Sequence, residues 1–142
     1  MTTKGRLAGI DYGRARIGLA ISDENRIIAQ PLDTVRASSD LAQSARLVAH
    51  ALTRYKPIDR IVIGLPLMLN GTEGEMAKEV KAFAALLEQY LPVPLVFWDE
   101  RLTSAGVEKM LLGLDVSRKK RAELSDALAA VSILQNYLDS QR

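Results

Sequence analysis

The sequence predicts an α/β fold, and two features carry that expectation. Three short apolar runs joined by tight turns open the chain, and after them stretches of helical periodicity alternate with further apolar runs. The run Ile61-Val62-Ile63 has no polar alternation, as in a strand covered on both faces within a parallel part of a sheet. The 142 residues match the size of one domain, so residues 1–142 are read as a single domain. With 48% hydrophobic residues, the chain can build its core without a metal or disulfide staple.

The elements follow in order. Residues 7–10 form a strand that stops at Asp11, and residues 17–21 form a second that stops at Ser22-Asp23. The connection through Gly13, Arg14 and Ala15 is short enough for a hairpin. Residues 27–35 read as a third strand, interrupted near Pro31. Strands joined by such short turns must be antiparallel, because a parallel pair needs a long crossover. Leu41, Ala45, Val48, Leu52 and Tyr55 then recur at helical spacing, with Ser38, Ser39 and Asp40 as capping residues and Pro57 as the stop. Ile58–Leu65 is the fourth strand. Met76, Val80, Phe83, Leu87 and Leu91 mark a second helix, and residues 93–98 the fifth strand. Thr103 or Ser104 can cap a short helix to about residue 112. A basic loop over 113–120 leads to a last helix over 121–138. The expected result is a mixed five-stranded sheet of order 3-2-1-4-5 with helices on both faces, the element order of the ribonuclease H-like fold. Element order alone does not establish activity.

Composition removes several chemistries. There is no cysteine, so disulfides, thiolate metal sites and cysteine nucleophiles are excluded. The one histidine, His50, lies within the first helix and reads as structural or surface; zinc sites with two histidines are excluded. There is no P-loop, no G-x-G-x-x-G and no G-x-S-x-G elbow. A metal site must therefore be built from carboxylates, which suit Mg²⁺ or Mn²⁺. No signal-peptide h-region follows the N-terminus, and the apolar stretch 61–69 is broken by Gly64 and Pro66, well short of the ~20 residues that span a bilayer. A cytoplasmic protein without a membrane partner is expected.

Three carboxylates stand out. Asp11 ends the first strand just before Gly13, although Asp-x-Gly is also an ordinary turn. Asp99-Glu100-Arg101 ends the fifth strand, and alternation lets only one of the two acids face the side that Asp11 faces. Asp126 sits early in a helix whose next twelve residues carry no charge, so it needs a cationic partner unless it lies exposed in the first turn. Three converging carboxylates without a histidine fit one or two divalent cations that promote phosphodiester hydrolysis. Arg14 and Arg16 flank the first acid, Arg101 follows the second, and the run Arg118, Lys119, Lys120, Arg121 precedes the third. Such cations fit sequence-independent phosphate contacts, and a solvated charge run is the plainer alternative. The net charge of +2 agrees with a polyanionic partner without singling one out.

The string from Gly9 through Asp11, Gly13, Arg14 and Arg16 to Gly18-Leu19-Ala20 resembles the opening of the YqgF (RuvX) family. Ile63-Gly64-Leu65-Pro66, Asp99-Glu100-Arg101-Leu102-Thr103, and Asp126-Ala127-Leu128 with Ile133-Leu134-Gln135 resemble its later motifs, in family order and over nearly the whole chain. Met68-Leu69-Asn70-Gly71 departs from the family's Asn-Met-Asp-Gly and puts any role of residues 68 and 69 in doubt. The resemblance implies a ribonuclease H-like fold, with Asp11, Glu100 and Asp126 matching the catalytic, metal-binding carboxylates. It also implies an endonuclease that matures the 5′ end of precursor 16S ribosomal RNA, acting on RNA or on ribosomal particles. A Holliday junction resolvase acting on branched DNA is the alternative, as is a non-catalytic RNA-binding assembly factor. A nucleotide-binding module of the actin type is disfavoured, since those close two such domains around ATP. The oligomeric state is open between monomer and homodimer.

Overall fold

The computed structural model describes residues 5–100 and 117–142. The expected helix over 104–112 and the cation Arg101 lie outside them. Six strands form the sheet: β1 (Arg6–Asp11), β2 (Arg16–Ser22), β3 (Ala29–Pro31), β4 (Val35–Arg36), β5 (Ile58–Leu65) and β6 (Leu95–Asp99). Among the described residues three helices accompany them: α1 (Leu41–Thr53), α2 (Glu75–Tyr90) and α3 (Arg118–Ser140). The sheet order is β3-β2-β1-β5-β6, with β4 also paired to β2. β2 runs antiparallel to β1, while β5 and β6 run parallel to it. The carboxyl ends of β1, β5 and β6 therefore meet at one edge.

The expected strand order holds, with β5 and β6 as the fourth and fifth strands. The third expected strand is instead two short pieces. Ile27 and Ile28 are exposed and belong to neither, because the Asp23 carboxylate accepts both of their backbone N–H groups and holds them in a turn. Pro31 ends β3, having no N–H to donate to a ladder. α1 begins as expected, with the Asp40 carboxylate accepting the N–H of Ala42. α3 begins three residues before the expected start, because Ser117 caps it by accepting the N–H of Lys120. The basic run is thus the first helical turn rather than a loop. His50 is exposed on α1.

Strand alternation divides the core in two. Ile10, Ile17, Leu19, Ile61 and Ile63 face α1 and α2, where Val48, Leu52, Phe83 and Leu87 complete the larger cluster. Leu7, Ala20, Val62, Val96 and Trp98 face α3, which contributes Ala130, Ile133, Leu134, Tyr137 and Leu138. Helices thus lie on both faces. Among the described residues no helix is long and apolar enough to cross a membrane.

Candidate active site

The same alternation that divides the core gathers the polar residues on the α3 face. On β1, Gly9 and Asp11 point that way; on β2, Arg16 and Gly18; on β5, Gly64; and past the end of β6, Glu100. Glycine is what makes this face passable. A Cβ at Gly18 would run into the backbone carbonyl of Asp126, and one at Gly9 would stand 2.7 Å from Leu134 Cβ. Side chains at these positions would hold α3 off the sheet and Asp126 away from Asp11. A Cβ at Gly64 would meet the Glu100 side chain, so the bare strand at Gly64 is the space through which Glu100 reaches across β5.

Asp11 and Glu100 are thereby in direct contact, with the Asp11 carboxyl hydrogen-bonded to the Glu100 carboxylate. Burial, first of all, pushes the pKa of Asp11 up to about 8, and the charges of Glu100 and then Asp126 add to it. Glu100 is raised as well, by burial first and by the neighbouring Asp99, against the hydrogen bond from Asp11, which lowers it. The two groups share this corner by keeping a proton between them.

Asp126 is not in the first helical turn but in the third, beyond the reach of the helix N-terminal dipole. Its carboxylate accepts a 2.6 Å hydrogen bond from Arg16 Nε, an ion pair left partly open to solvent. The acid therefore has a cationic partner. Asp11 and Glu100 are in contact, while Asp126 acts on Asp11 through its charge. Among the described residues no three acidic or histidine side chains gather closely enough to hold a metal ion as they stand.

The cations separate into distinct surroundings. Arg14 Nε donates to Glu79 on α2 at 3.0 Å, and the Tyr12 hydroxyl donates to the same carboxylate at 2.6 Å. The Tyr12 hydroxyl and Arg14 together outweigh desolvation and hold the Glu79 pKa below its ordinary value. Glu79 thus fastens the loop after Asp11 to α2. Sequence reasoning missed it; its one signal was an acid beside the apolar stripe of that helix, one position before Val80. Arg118, Lys119 and Lys120 are exposed, whereas Arg121 is half-buried and its Nε has no hydrogen-bond partner among the described residues. The hairpin over 67–73, closed by the pairing of Leu67 with Glu73, leaves Met68 and Leu69 exposed.

Comparison with known proteins adds to this geometry. Residues 5–140 match a family model described as RuvX, Holliday junction resolvase. A relative from Protochlamydia amoebophila, named "Putative pre-16S rRNA nuclease", is 46% identical over 96% of this chain and 94% of its own. One from Geobacillus kaustophilus with the same name is 41% identical over 96% of this chain and 99% of its own. Among solved structures, Thermus thermophilus RuvC in complex with a Holliday junction superposes with a TM-score of 0.59 at 20% identity, covering 96% of this chain and 95% of that one. The Fowlpox virus resolvase with junction DNA gives 0.58 at 15% identity, covering 96% and 98%. Likeness at these identities establishes a shared fold of the ribonuclease H type.

Proposed function

The chain belongs to the RuvX family of Holliday junction resolvase-like proteins, and from that premise we propose that it is a metal-dependent endonuclease of structured RNA that matures the 5′ end of precursor 16S ribosomal RNA in the cytoplasm. In this reading residues 1–142 form one nuclease domain. The observation that carries it is the direct contact of the half-buried Asp11 and Glu100 carboxyls, where desolvation and like charge raise both pKa values and a shared proton relieves the repulsion. A divalent cation is the other way to neutralise such a pair, and an all-oxygen donor set suits Mg²⁺ or Mn²⁺. Asp11 and Glu100 would hold the cation, with Asp126 completing the set once it leaves Arg16. A bound divalent cation supplies Lewis acidity at the phosphodiester and favours attack by water.

The chain's own residues supply position and charge. Glu79 ties Arg14, on the loop that follows Asp11, to α2, so a phosphate oxygen there competes with Glu79 for the guanidinium. Arg16 is shared between Asp126 and any incoming phosphate, so substrate and carboxylate compete for it. Arg118, Lys119 and Lys120 at the start of α3 hold the strand without reading bases. The printed names of the relatives favour RNA as substrate, while the family's description keeps the DNA-junction resolvase as the second reading. A resolvase cuts two strands symmetrically and so needs a two-fold dimer.

The test is incubation of the pure protein with precursor 16S RNA and with four-way junction DNA, each with Mg²⁺, Mn²⁺ or EDTA. Cleavage of the RNA, abolished by EDTA, is expected. Paired symmetric cuts in the junction by a dimer, with the RNA intact, would establish the resolvase instead. Turnover in EDTA, or none on either substrate, would overturn the metal-dependent nuclease.

A further inference from the structure

Beside the Arg16–Asp126 pair lies an open groove of about 900 Å³, two of whose residues, Arg36 and Tyr55, have no part in the roles above. Its walls are the start of β2, the β3–β4 segment over 31–36, Tyr55 just past α1, and the first turns of α3. Thr34 ties two of these walls together, its hydroxyl donating to the Glu123 carbonyl at 3.2 Å. Four cations line the groove, Arg16, Arg36, Lys119 and Lys120, against the two carboxylates Asp33 and Glu123.

The placement of these cations is unfavourable in the protein alone. Arg36 stands directly opposite Arg16 in the β2–β4 ladder, and like charges in that position destabilise a sheet. Lys119 and Lys120 occupy the first turn of α3, where the helix dipole disfavours positive charge and that turn carries no acid; Glu123, one turn on, is the only carboxylate α3 adds to this groove. Among the described residues, Arg36, Lys119 and Lys120 form no ion pair. Two independent electrostatic conflicts, one in the sheet and one in the helix, open onto the same cavity, and an anionic ligand relieves both. The Tyr55 ring adds a flat, half-buried aromatic surface to the wall. Phosphate-binding cations around an aromatic surface are the pattern of single-stranded nucleic-acid grooves, where bases stack and the backbone is held by charge. The volume is enough for a short unpaired stretch.

We propose that this groove is a single-strand subsite. It holds unpaired nucleotides that run from the scissile phosphate past Arg16, with Arg36, Lys119 and Lys120 on the phosphates and Tyr55 against a base. This rests on the nuclease reading for its direction towards the carboxylates. It adds two residues, Arg36 and Tyr55, and a requirement that the substrate be unpaired beside the cut.

The test is equilibrium binding in EDTA, read by fluorescence anisotropy, so that no cleavage intervenes. The probes are an unstructured RNA strand, the DNA strand of the same sequence, and a blunt RNA duplex. Tyr55→Ala is expected to weaken single-strand binding roughly 5- to 150-fold, as loss of a base–aromatic stack does, with Tyr55→Phe close to wild type and duplex binding unchanged. Tyr55 also packs on the core, so Arg36→Gln is the second variant. Its residue is exposed, and it should lower the salt slope for single strands by about 0.7. Losses on both strands support the groove irrespective of sugar, and losses on RNA alone support it and assign RNA. Unchanged single-strand binding in Arg36→Gln and a folded Tyr55→Ala, or equal losses on strand and duplex, would overturn it. A wild-type protein that cuts nothing yet shows these losses would sink the nuclease reading and leave the groove. Normal cleavage without the losses would do the reverse.

Discussion

The two faces of the sheet are built on opposite terms. Towards α1 and α2 the central strands present Ile10, Ile17, Leu19, Ile61 and Ile63, all fully buried. Towards α3 the same strands present Gly9, Gly18, Gly64 and Ala20 among the apolar residues, together with Asp11 and Arg16. Every strand contributes to both faces, one residue to each in turn. The first face therefore supplies stability, since large branched side chains bury the most apolar area. The second gives up side-chain volume so that a helix backbone and two carboxylates can approach the sheet. A single sequence run such as Gly9-Ile10-Asp11 encodes both, because alternation separates their tasks.

This division can be broken most strongly at the carboxylates. Asp11→Asn is expected to reduce cleavage to less than a tenth of the wild-type rate while leaving the fold intact, as read by a nuclease assay beside a thermal melt. The same variant changes the response to pH. Because the folded pKa of Asp11 lies near 8, above its unfolded value near 3.8, the metal-free native state binds the extra proton between those limits. Its contribution to stability is complete below the lower value and is lost as pH rises through the upper one. Wild-type protein in EDTA should thus lose melting temperature from acid to alkaline pH across that window, and Asp11→Asn should show a flatter profile. An identical profile in the two proteins would show that Asp11 is not the group protonated.

Next in size is the other face. Phe83 is fully buried and its ring packs against Tyr12 at a tilt of 41° with centroids 4.8 Å apart. Phe83→Ala should cost about 3–5 kcal/mol of unfolding free energy in denaturant titrations. Cleavage per folded molecule should survive, which Asp11→Asn does not allow. Gly18→Ala probes the boundary between the two tasks. Its added Cβ meets the Asp126 carbonyl, so α3 must shift, at about 1–3 kcal/mol. Activity should fall further than the unfolded fraction explains. Full activity in a folded Gly18→Ala protein would show that the seating of α3 does not matter to the site.

The smallest effect is expected at Arg16 and Asp126. The pair is partly exposed, with side-chain exposures of 43% and 23%, so Arg16→Gln should change stability by less than about 1 kcal/mol. A loss several times larger in a chemical melt would make the pair a structural anchor of α3 rather than a contact the substrate can exchange.

Much of this was legible in the residues. β1, β2 and β5 are each built on an apolar run, residues 7–10, 17–21 and 61–65, and a run covered on both faces by helices has few alternatives. Asp11 and Glu100 were readable as strand-end acids, and alternation correctly allowed one of Asp99 and Glu100 to meet Asp11. The third strand was not readable, because the Asp23 side chain competes for the backbone of Ile27 and Ile28, and propensity carries no trace of that bond. The partner of Asp126 was foreseen as a type, a cation, but not as Arg16, which lies 110 residues away in sequence. Glu79 and Tyr55 were invisible for the same reason: their roles arise from contacts across the fold. The glycines could be seen as a pattern; that they make room for α3 and for Glu100 required the packed structure.

The seating of α3 also bears on how the molecule fails. Asp126 is brought to Arg16 and to the side of Asp11 only when this helix, whose neighbours are β1, β2, β3 and β5, lies on the sheet. Proteins open by local units, and the layer of α1 and α2 has its own separate cluster to hold it. A molecule in which α3 has lifted would remain collapsed on its other side, yet it would have lost Asp126 and one wall of the groove at the same moment. With Asp126 in the proposed site and the groove as the proposed seat of the strand, a damaged or half-folded copy would be silenced before it becomes disordered. In a cell filled with essential RNA, an error in folding yields an idle protein instead of an indiscriminate one.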